Sequence, residues 1–218
     1  MVTLGEIAEH VGGQLEGPAD LTIARLASLS ESTDQDLVFV KDERNLGLLE
    51  TARCAAVLCR EGDAVGKRPA IRVASPRLAA AQAARLLSPP PAYPAGVHPS
   101  AVIASDAIVP DSCHIGPFVV IGAGTTLGER VAIEAHVSIG ERVRIGADSC
   151  LHARVVLYAG VVVGERCVLH AGSVVGAEGF GVEPGPEGPV SFPQNGTVEL
   201  GDDVRVGANS TIDRATFH

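Results

Sequence analysis

Aromatic residues and basic charge are scarce in this sequence. The chain has 218 residues, contains no Trp, and is only 3% aromatic. Hydrophobic residues nevertheless make up 46%, so the core has to be built from aliphatic side chains. Acidic residues outnumber basic ones by 26 to 17, which gives a formal net charge of −9. This excess argues against a nucleic-acid-binding surface, because such a surface normally needs a basic patch.

Paired cysteines and long apolar runs are also missing. The five cysteines form no CxxC pair, and their odd number favours a reduced, cytoplasmic protein over a disulfide scaffold. The N-terminal stretch MVTLGEIAEHVGG has no basic region and carries Glu6 and Glu9, so we do not expect a signal peptide. No apolar run approaches the ~20 residues of a membrane span, so we expect no transmembrane segment.

A six-residue repeat runs through the second half of the chain. An aliphatic residue closes thirteen consecutive hexads, and a small or β-branched residue usually lies two positions earlier. The closing residues are Ile103, Val109, Ile115, Ile121, Leu127, Ile133, Ile139, Ile145, Leu151, Leu157, Val163, Leu169 and Val175. With any hydrophobic residue allowed, chance would give such a run with a probability on the order of 10⁻⁵ in one register.

A period of six fits neither a helix, with a period of 3.6, nor a strand, with a period of 2. It fits a short strand followed by a tight turn, stacked into a β-solenoid. Three hexads would form one triangular coil of 18 residues, with successive coils ~4.8 Å apart. The repeat therefore predicts a three-sided β-helix over residues 98–218. Glycine often follows the closing aliphatic, where the turn needs either an unusual φ or close backbone approach.

The repeat is interrupted once. After Val175 the sequence is rich in Gly and Pro and has no period, and the pattern resumes at Leu200, Val206 and Ile212. The gap of 25 residues is one more than a multiple of six, which predicts an insertion loop over 176–199 rather than an extra coil. Loops of this length inside a compact repeat are usually functional, although a solvated excursion is the alternative.

The first part of the chain has a different pattern. Thr3 and Glu6 form a possible capping box for a first helix. Apolar stretches at 36–40, 55–59 and 70–74 are typical of strands. Helical stretches follow at 44–53 and 75–87, the latter with Ser75 as N-cap and Pro76 at the first helical position. This order predicts a small α/β domain with a parallel sheet over residues 1–88, followed by a Pro-rich linker at 89–97.

Three polar residues recur at the spacing of one coil. Glu134, His152 and His170 are each 18 residues apart, so they should stack on one face at ~4.8 Å intervals. Such a ladder could bind a metal ion, as in zinc enzymes of the carbonic-anhydrase-like hexapeptide group, but a polar stripe at the turn is the more ordinary interpretation, and we predict no metal site. Cys113 and Cys167 fall in the small inward position, which favours packing over reactivity. A non-catalytic β-helix scaffold is a third interpretation.

Specific motifs accompany these repeats. The stretches HPSAVIASDAIV, SVVGAEGFG and FPQNGTVELGDDVRVGANSTIDR follow an α/β domain and a Pro-rich linker. In this combination the chain resembles the family of UDP-3-O-(3-hydroxyacyl)glucosamine N-acyltransferases of lipid A biosynthesis, over essentially all 218 residues. The resemblance implies a left-handed parallel β-helix that forms a homotrimer.

The same resemblance implies a reaction. A 3-hydroxyacyl chain would arrive on acyl carrier protein and pass from the phosphopantetheine thioester to the 2-amine of UDP-3-O-acylglucosamine, with no resident cofactor. A histidine would act as general base on the amine, a role that suits a side chain titrating near neutrality. The N-terminal domain would bind the uracil of the UDP-sugar.

The resemblance also assigns residues. Phe39 matches an aromatic residue that stacks on uracil, while Asp42 stands in place of the family's Asn and Asn45 in place of its Tyr. In the insertion loop, Gly179, Phe180, Gly181 and Gln194 are expected to contact substrate. The family's catalytic histidine lies about one coil beyond the TIDR motif and would fall after residue 218. On this basis the chain resembles a C-terminally truncated member, and we expect it to be an inactive fragment.

Overall fold

A computed structural model describes residues 2–89 and 91–217 of the chain. The chain divides into two compact units, Met1–Pro91 and Ala92–His218. The boundary falls inside the stretch predicted to be a linker, whose Pro90 lies outside the described residues, as does the terminal His218. No helix in the described parts of the chain is long and apolar enough to cross a membrane.

The N-terminal unit is a five-stranded sheet with three helices. Its elements are β1 (Val2–Thr3), α1 (Leu4–Val11), β2 (Gln14–Glu16), β3 (Thr22–Ile23), β4 (Arg25–Leu26), β5 (Asp36–Phe39), α2 (Glu43–Leu49), β6 (Ala56–Cys59), β7 (Ala70–Arg72) and α3 (Pro76–Leu87). The strand order is β2-β7-β6-β5-β4. The pairs β5–β6 and β6–β7 are parallel, as predicted. Strand β4, which was not predicted from the sequence, pairs parallel with β5, and β2 adds an antiparallel edge.

Both faces of this sheet are covered, which explains the continuous apolar runs of its strands. Leu37 and Leu58 pack in a cluster with residues of α1 and α3. Their neighbours Val38 and Val57 point to the other face and pack with Leu49 of α2.

The structure confirms the predicted starts of α1 and α3 but not the predicted end of α2. The capping box of Thr3 and Glu6 is present, as predicted. Helix α3 begins at Pro76 after an extended Ser75, but the Ser75 side chain makes no capping hydrogen bond. Helix α2 ends at Leu49, four residues before the predicted end.

The C-terminal unit is the predicted solenoid. Its strands are β8 (Gly96–Val97), β9 (Val102–Ile103), β10 (His114–Ile115), β11 (Val120–Ile121), β12 (Thr126–Leu127), β13 (Ala132–Ile133), β14 (Ser138–Ile139), β15 (Arg144–Ile145), β16 (Cys150–Leu151), β17 (Val156–Leu157), β18 (Val162–Val163), β19 (Val168–Leu169), β20 (Val174–Ala177), β21 (Val182–Gly185), β22 (Gly188–Ser191), β23 (Glu199–Leu200), β24 (Arg205–Val206) and β25 (Thr211–Asp213). Its stacked parallel strands form a left-handed β-helix.

Three parallel sheets form the sides of this prism. The first sheet contains β8, β10, β13, β16, β19 and β24, the second contains β9, β11, β14, β17, β20 and β25, and the third contains β12, β15, β18 and β23. Strands pair at an 18-residue register, for example Ile115 with Ile133 and Ile133 with Leu151. The coil of three hexads is therefore confirmed. Strand β8 pairs with β10, so the solenoid begins two residues earlier than predicted, inside the expected linker.

The inside of the prism is filled as the repeat predicts. Closing residues such as Ile133, Ile139 and Leu157 are buried, and so are the small residues that precede them. Cys113 and Cys167 are at most 1% exposed, in the packing position expected of them.

The glycines that follow the closing aliphatics are needed for close approach, not for an unusual φ. A Cβ atom built on Gly116, Gly122, Gly128, Gly140, Gly146 or Gly164 would lie 2.5 to 3.0 Å from an atom of the next coil. The positive φ angles occur two residues later, and non-glycine side chains occupy most of those positions, including Phe118, Arg130 and Asp148. Of the two reasons that the sequence left open, tertiary packing selects the first.

One corner of the prism carries an alternating charge ladder. Arg130 pairs with Asp148 at 2.7 Å, and Arg166 pairs with Asp203 at 3.0 Å. All four residues lie at corners and have a positive φ. Asp148 stands between Arg130 and Arg166, so the two arginines share one corner. These exposed pairs hold neighbouring corners together and contribute little stability individually.

The insertion at 176–199 is not structureless. Strand β20 continues to Ala177, and β21 and β22 then form an antiparallel hairpin with Val182 opposite Ser191 and Gly185 opposite Gly188. The third sheet resumes at β23, where Leu200 pairs with Val163. We call residues 176–199 the excursion.

Candidate functional site

A small pocket lies in the N-terminal unit beside the end of β5. It has a volume of about 260 Å³ and is lined by residues 27–30, Phe39, Lys41, Asn45 and Leu48. Phe39 is the last residue of strand β5, and Asn45 lies in the first turn of α2. The structure thus brings together two of the three residues that the sequence singles out here.

The third residue, Asp42, has a different task. It is the N-cap of α2, where its carboxylate accepts a hydrogen bond from the Asn45 N–H at 3.0 Å. A carboxylate at this position is stabilised by the free N–H groups and the dipole of the helix. Asp42 therefore shapes the pocket by fixing the start of α2, and it is absent from the pocket lining.

Two features of the pocket are not foreseen by the sequence. Lys41 lines it with an exposed ammonium group, 3.9 Å from the Asp42 carboxylate. The Oδ1 atom of Asn45 is buried and accepts no hydrogen bond from the described residues. A buried polar atom without a partner is uncommon, so it marks this carboxamide as a group with unused hydrogen-bonding capacity.

A second cluster of polar residues lies beside the first sheet of the solenoid. Glu134 and His152 follow β13 and β16, and His170 follows β19. The carboxylate of Glu134 accepts hydrogen bonds from the Tyr93 hydroxyl at 2.6 Å and from the Ala153 N–H at 2.9 Å. His152 Nδ1 lies 3.0 Å from the same carboxylate, and the rings of His152 and His170 stack with centroids 5.1 Å apart. The ladder that the 18-residue spacing predicts is therefore present.

The electrostatics of this cluster favour an ionised Glu134 beside a protonated phenol and a protonated thiol. Burial alone would raise the pKa of Glu134, but hydrogen bonds from Tyr93, His152 and Ala153 outweigh it and hold the pKa below its ordinary value. Burial and the adjacent carboxylate raise the pKa of the Tyr93 hydroxyl. Burial also raises the pKa of the Cys150 thiol. At neutral pH the phenol and the thiol are protonated, so this cluster offers no activated nucleophile.

Within one chain, Glu134, His152 and His170 are not arranged around a common metal position. Among the residues that the structure describes, no group of three or more His, Cys, Asp or Glu side chains is arranged to hold a metal ion. Two nitrogens on one zinc lie within ~4.2 Å of each other, since each bond is ~2.1 Å long. The rings of His152 and His170 are nearly parallel, at 11°, with centroids 5.1 Å apart, so their lone pairs do not converge. The zinc-enzyme alternative has no support here.

The excursion surrounds a buried carboxamide. Gln194 is only 9% exposed. It donates through Nε2 to the carbonyl of Phe192 at 3.1 Å and accepts through Oε1 from the Thr216 hydroxyl at 2.7 Å. Gly179 and Gly181 lie against this carboxamide, while Phe180 between them is 97% exposed. The structure thus brings together all four residues predicted in the excursion, with Gln194 inside and Phe180 outside.

Similarity to known proteins follows the division into two units. The family model for UDP-3-O-(3-hydroxymyristoyl) glucosamine N-acyltransferase, LpxD, matches residues 20–86, and the model for the hexapeptide repeat of succinyl-transferase matches residues 136–177 and 197–214. A UDP-3-O-acylglucosamine N-acyltransferase of Pseudomonas entomophila is 42% identical over 217 residues, which are 99% of this chain and 62% of that relative. The enzyme of the same name from Neisseria meningitidis is 46% identical over 217 residues, with the same coverage.

The chain is similar to UDP-3-O-acylglucosamine N-acyltransferases over nearly all of its residues. It spans about three fifths of the length of the relatives that it matches. Every residue that lines the pocket beside Phe39 lies within the stretch matched by the N-acyltransferase model.

A solved structure of a GDP-perosamine N-acetyltransferase mutant from Caulobacter crescentus, in complex with CoA and GDP-perosamine, is also similar. It is 16% identical, covers 83% of this chain and 96% of its own, and has a TM-score of 0.32. This value is too low to add to the N-acyltransferase assignment, which depends on the sequence relatives.

Three residues of this chain have positions or contacts that the sequence does not indicate. Lys41 stands in a loop without any periodic signal, and Tyr93 lies in a Pro-rich stretch 41 residues from the carboxylate it contacts. Arg214 belongs to the TIDR motif, yet nothing in the motif indicates that it donates to the carbonyls of Gly176 and Ala159.

Proposed function

We propose that this chain takes part in transferring a 3-hydroxyacyl chain from acyl carrier protein to the 2-amine of UDP-3-O-acylglucosamine, in lipid A biosynthesis. The observation that carries the proposal is the 42–46% identity to enzymes of this name over 99% of the chain. The fold supports it, because the N-terminal unit has a pocket at the residues that resemble a uridine site, and the C-terminal unit is a hexapeptide solenoid.

The proposed chemistry is aminolysis of a thioester. The amine nitrogen attacks the carbonyl carbon, an amide C–N bond forms, and the C–S bond breaks. The released thiol of the phosphopantetheine arm receives the proton that a general base takes from the amine. Backbone N–H groups can stabilise the tetrahedral oxyanion, so the protein needs no resident cofactor for this step. The phosphopantetheine arrives on the acyl carrier protein.

In the pocket, we propose that Phe39 stacks on the uracil ring. Asn45 stands where the family has Tyr. Its carboxamide, whose oxygen accepts no hydrogen bond from the described residues, would therefore offer the uracil a polar contact in place of an aromatic one. Lys41 places a positive charge where the diphosphate would leave the pocket, and this charge suits an anionic ligand.

Calorimetry with UDP tests the pocket. Base–aromatic stacking contributes ~1–3 kcal/mol, so Phe39→Ala should weaken UDP binding at least about fivefold. Leu78→Ala is a matched control, because Leu78 is an exposed apolar residue of the same unit that does not line the pocket. Equal affinity of Phe39→Ala and wild type would remove the uracil site from Phe39, and no binding of UDP to wild type would contradict the proposed substrate class.

The transfer step is followed by mass spectrometry of the UDP-sugar. Formation of an N-acylated product that depends on both the UDP-sugar and acyl carrier protein loaded with a 3-hydroxyacyl chain would show that the 218-residue chain is active, and it would overturn the expectation of an inactive fragment. His152→Ala tests the described histidine whose ring is oriented by a carboxylate, the arrangement of a general base. Since its ring also stacks on His170, we expect a structural role for His152. Loss of transfer in a folded His152→Ala variant would make His152 the base.

We further propose a homotrimer that contacts through the second sheet, in the cytoplasm, where its five free thiols would stay reduced. The outward residues of the second sheet are Val102, Val120, Ser138, Val156, Val174 and Thr211. They include no charge, whereas the third sheet presents Arg144 and Glu199 and the first presents Arg205. An uncharged face is the one that a second copy can cover at the lowest desolvation cost.

Sedimentation of two single variants tests this surface. Val120→Asp would place a charge inside the proposed contact and should reduce the trimer to monomers. Val162→Asp puts the same charge on the outer side of the third sheet and should leave the assembly intact. A trimer that tolerates Val120→Asp would place the contact on another face.

A further inference from the structure

Arg214 forms hydrogen bonds that hold the start of the excursion against the solenoid. Its Nε donates to the carbonyl of Gly176 at 2.7 Å, and its Nη2 donates to the carbonyl of Ala159 at 3.1 Å. Its backbone N–H donates to the carbonyl of Ala177 at 2.8 Å. The half-buried guanidinium of Arg214, which directly follows β25, therefore connects the end of that strand to the neighbouring coil and to the point where the excursion leaves the second sheet.

The residues that follow Arg214 hold the end of the excursion, where the chain returns to the solenoid. The Gly196 N–H donates to the carbonyl of Ala215 at 2.8 Å, and the Asn195 N–H donates to the carbonyl of Thr216 at 3.2 Å. The Thr216 hydroxyl donates to Gln194 at 2.7 Å. A Cβ on Gly196 would lie 2.6 Å from the carbonyl oxygen of Ala215, so the two segments are also packed too closely for a larger residue.

Two glycines of the excursion, Gly179 and Gly181, pack against the carboxamide of Gln194. Built Cβ atoms on Gly179 and Gly181 would lie 3.5 Å from Gln194 Oε1 and 3.2 Å from Gln194 Nε2. The Gly179–Phe180–Gly181 segment therefore wraps around Gln194 and turns Phe180 outward, where it is 97% exposed. An exposed aromatic side chain is suited to contact a ligand when both ends of its segment are held in place, because the segment then loses little conformational entropy on binding.

We propose that Arg214 and Gln194 are positioning residues of the acyl-transfer site. They hold the excursion in one conformation, so that Gly179, Phe180 and Gly181 meet the acylated sugar without first being ordered. This proposal rests on the proposed function. Neither residue touches substrate in it, and both act through the excursion.

Hydrogen exchange of the 218-residue chain tests the holding role without any assay of activity. Arg214→Ala should accelerate amide exchange in residues 178–193 by about tenfold or more, while strands β10 to β19 exchange as in wild type. Gln194→Ala should accelerate exchange in 178–182 in the same way. Arg214→Lys should give an intermediate rate, because one ammonium does not reproduce the fork that reaches two carbonyls. Arg205→Ala, an exposed arginine on the first sheet, is the matched control and should change nothing.

Two exchange results would overturn the proposal. Unchanged exchange in the excursion of Arg214→Ala would show that the guanidinium does not hold it. Equal acceleration in the excursion and throughout strands β10 to β19 would show that Arg214 only stabilises the solenoid.

Binding of UDP-3-O-acylglucosamine then tests the link to substrate. Arg214→Ala and Phe180→Ala should each weaken its affinity at least about fivefold, with partial recovery in Arg214→Lys, and leave the affinity for UDP alone unchanged. Variants with a loosened excursion but wild-type affinity for the acylated sugar would overturn the positioning role. If wild type binds neither UDP nor the acylated sugar, the proposed function fails, and with it the link to substrate, whereas the exchange result still decides whether Arg214 and Gln194 hold the excursion.

Discussion

Single polar residues in this chain are held by partners that lie one strand or one coil away. Arg130 pairs with Asp148, 18 residues later, and Arg166 pairs with Asp203 across the excursion. In the N-terminal unit the 2% exposed carboxylate of Asp36 accepts from Arg25 Nε at 3.1 Å and from the Thr33 N–H at 2.8 Å. Such a group is stable when buried only because each of its oxygens is satisfied.

Asp36 should make the N-terminal unit sensitive to acid. Burial would raise the pKa of Asp36, but the bonds from Arg25 and Thr33 together hold it below the ordinary 3.8. A lowered pKa means that the ionised group stabilises the fold above pH ~4 and that this contribution is lost as the pH falls through the lowered value. Asp36→Asn should reduce the free energy of unfolding by ~1–3 kcal/mol at pH 7, and the difference from wild type should shrink below pH ~4. Chemical denaturation at several pH values measures this, and a difference that is constant down to pH 2 would contradict it.

The solenoid strands are short elements that gain their stability from stacking. Most contain two residues, of which the first points outward and the second inward. The turns that connect one strand to the next bring consecutive coils into backbone contact. The turn glycines belong to this contact, because a Cβ on Gly146 would lie 2.5 Å from the carbonyl carbon of Gly164. A two-residue strand has no stability of its own, so the spacing between coils decides whether it forms.

Gly146→Ala should therefore destabilise the solenoid by ~1–3 kcal/mol, because the backbone of the next coil has to move. Gly201→Ala is the matched control: it stands at the same point of the hexad, but no atom lies within 4 Å of its built Cβ. Its substitution should be neutral or slightly stabilising, since alanine restricts the unfolded chain. Thermal unfolding of the two variants measures the difference, and equal melting temperatures would show that close approach is not the reason for the glycine.

At the scale of the whole molecule, the two units have separate hydrophobic cores. The core of the solenoid is one continuous column of Ile, Leu and Val, whereas the sheet of the N-terminal unit has a cluster on each face. Within the described residues, no member of one core belongs to the other. A substitution inside one core should therefore affect the stability of its own unit most.

Ile139→Asp should show this separation. It would bury an unpaired charge between coils and should cost more than about 4 kcal/mol, with faster hydrogen exchange in the solenoid strands. Exchange in β5, β6 and β7 should remain as in wild type. Thr126→Asp adds the same charge on the outer side of the third sheet and should change stability by no more than ~0.5 kcal/mol. Faster exchange in both units of Ile139→Asp would mean that they unfold together.

The sequence by itself determined the solenoid and the parallel strands β5, β6 and β7, and it carries the resemblance to the N-acyltransferases. Thirteen aliphatic positions repeat because each coil imposes the same inward direction every six residues, and that constraint is local enough to be visible in one chain. The capping box of Thr3 and the stacking of Glu134, His152 and His170 were predictable for the same reason.

Only the tertiary structure decided which residues meet across larger gaps. The sequence contains no measure of the distance between Tyr93 and Glu134, or between Arg214 and Ala159, since intervening turns and the excursion set it. It identified Asp42 as a substitution in a binding motif, whereas its carboxylate caps a helix. Glycine was compatible with two physical roles at the turns, and the backbone of the next coil selected one. Periodic contacts follow from local geometry, but hydrogen bonds between distant segments exist only once the chain has folded.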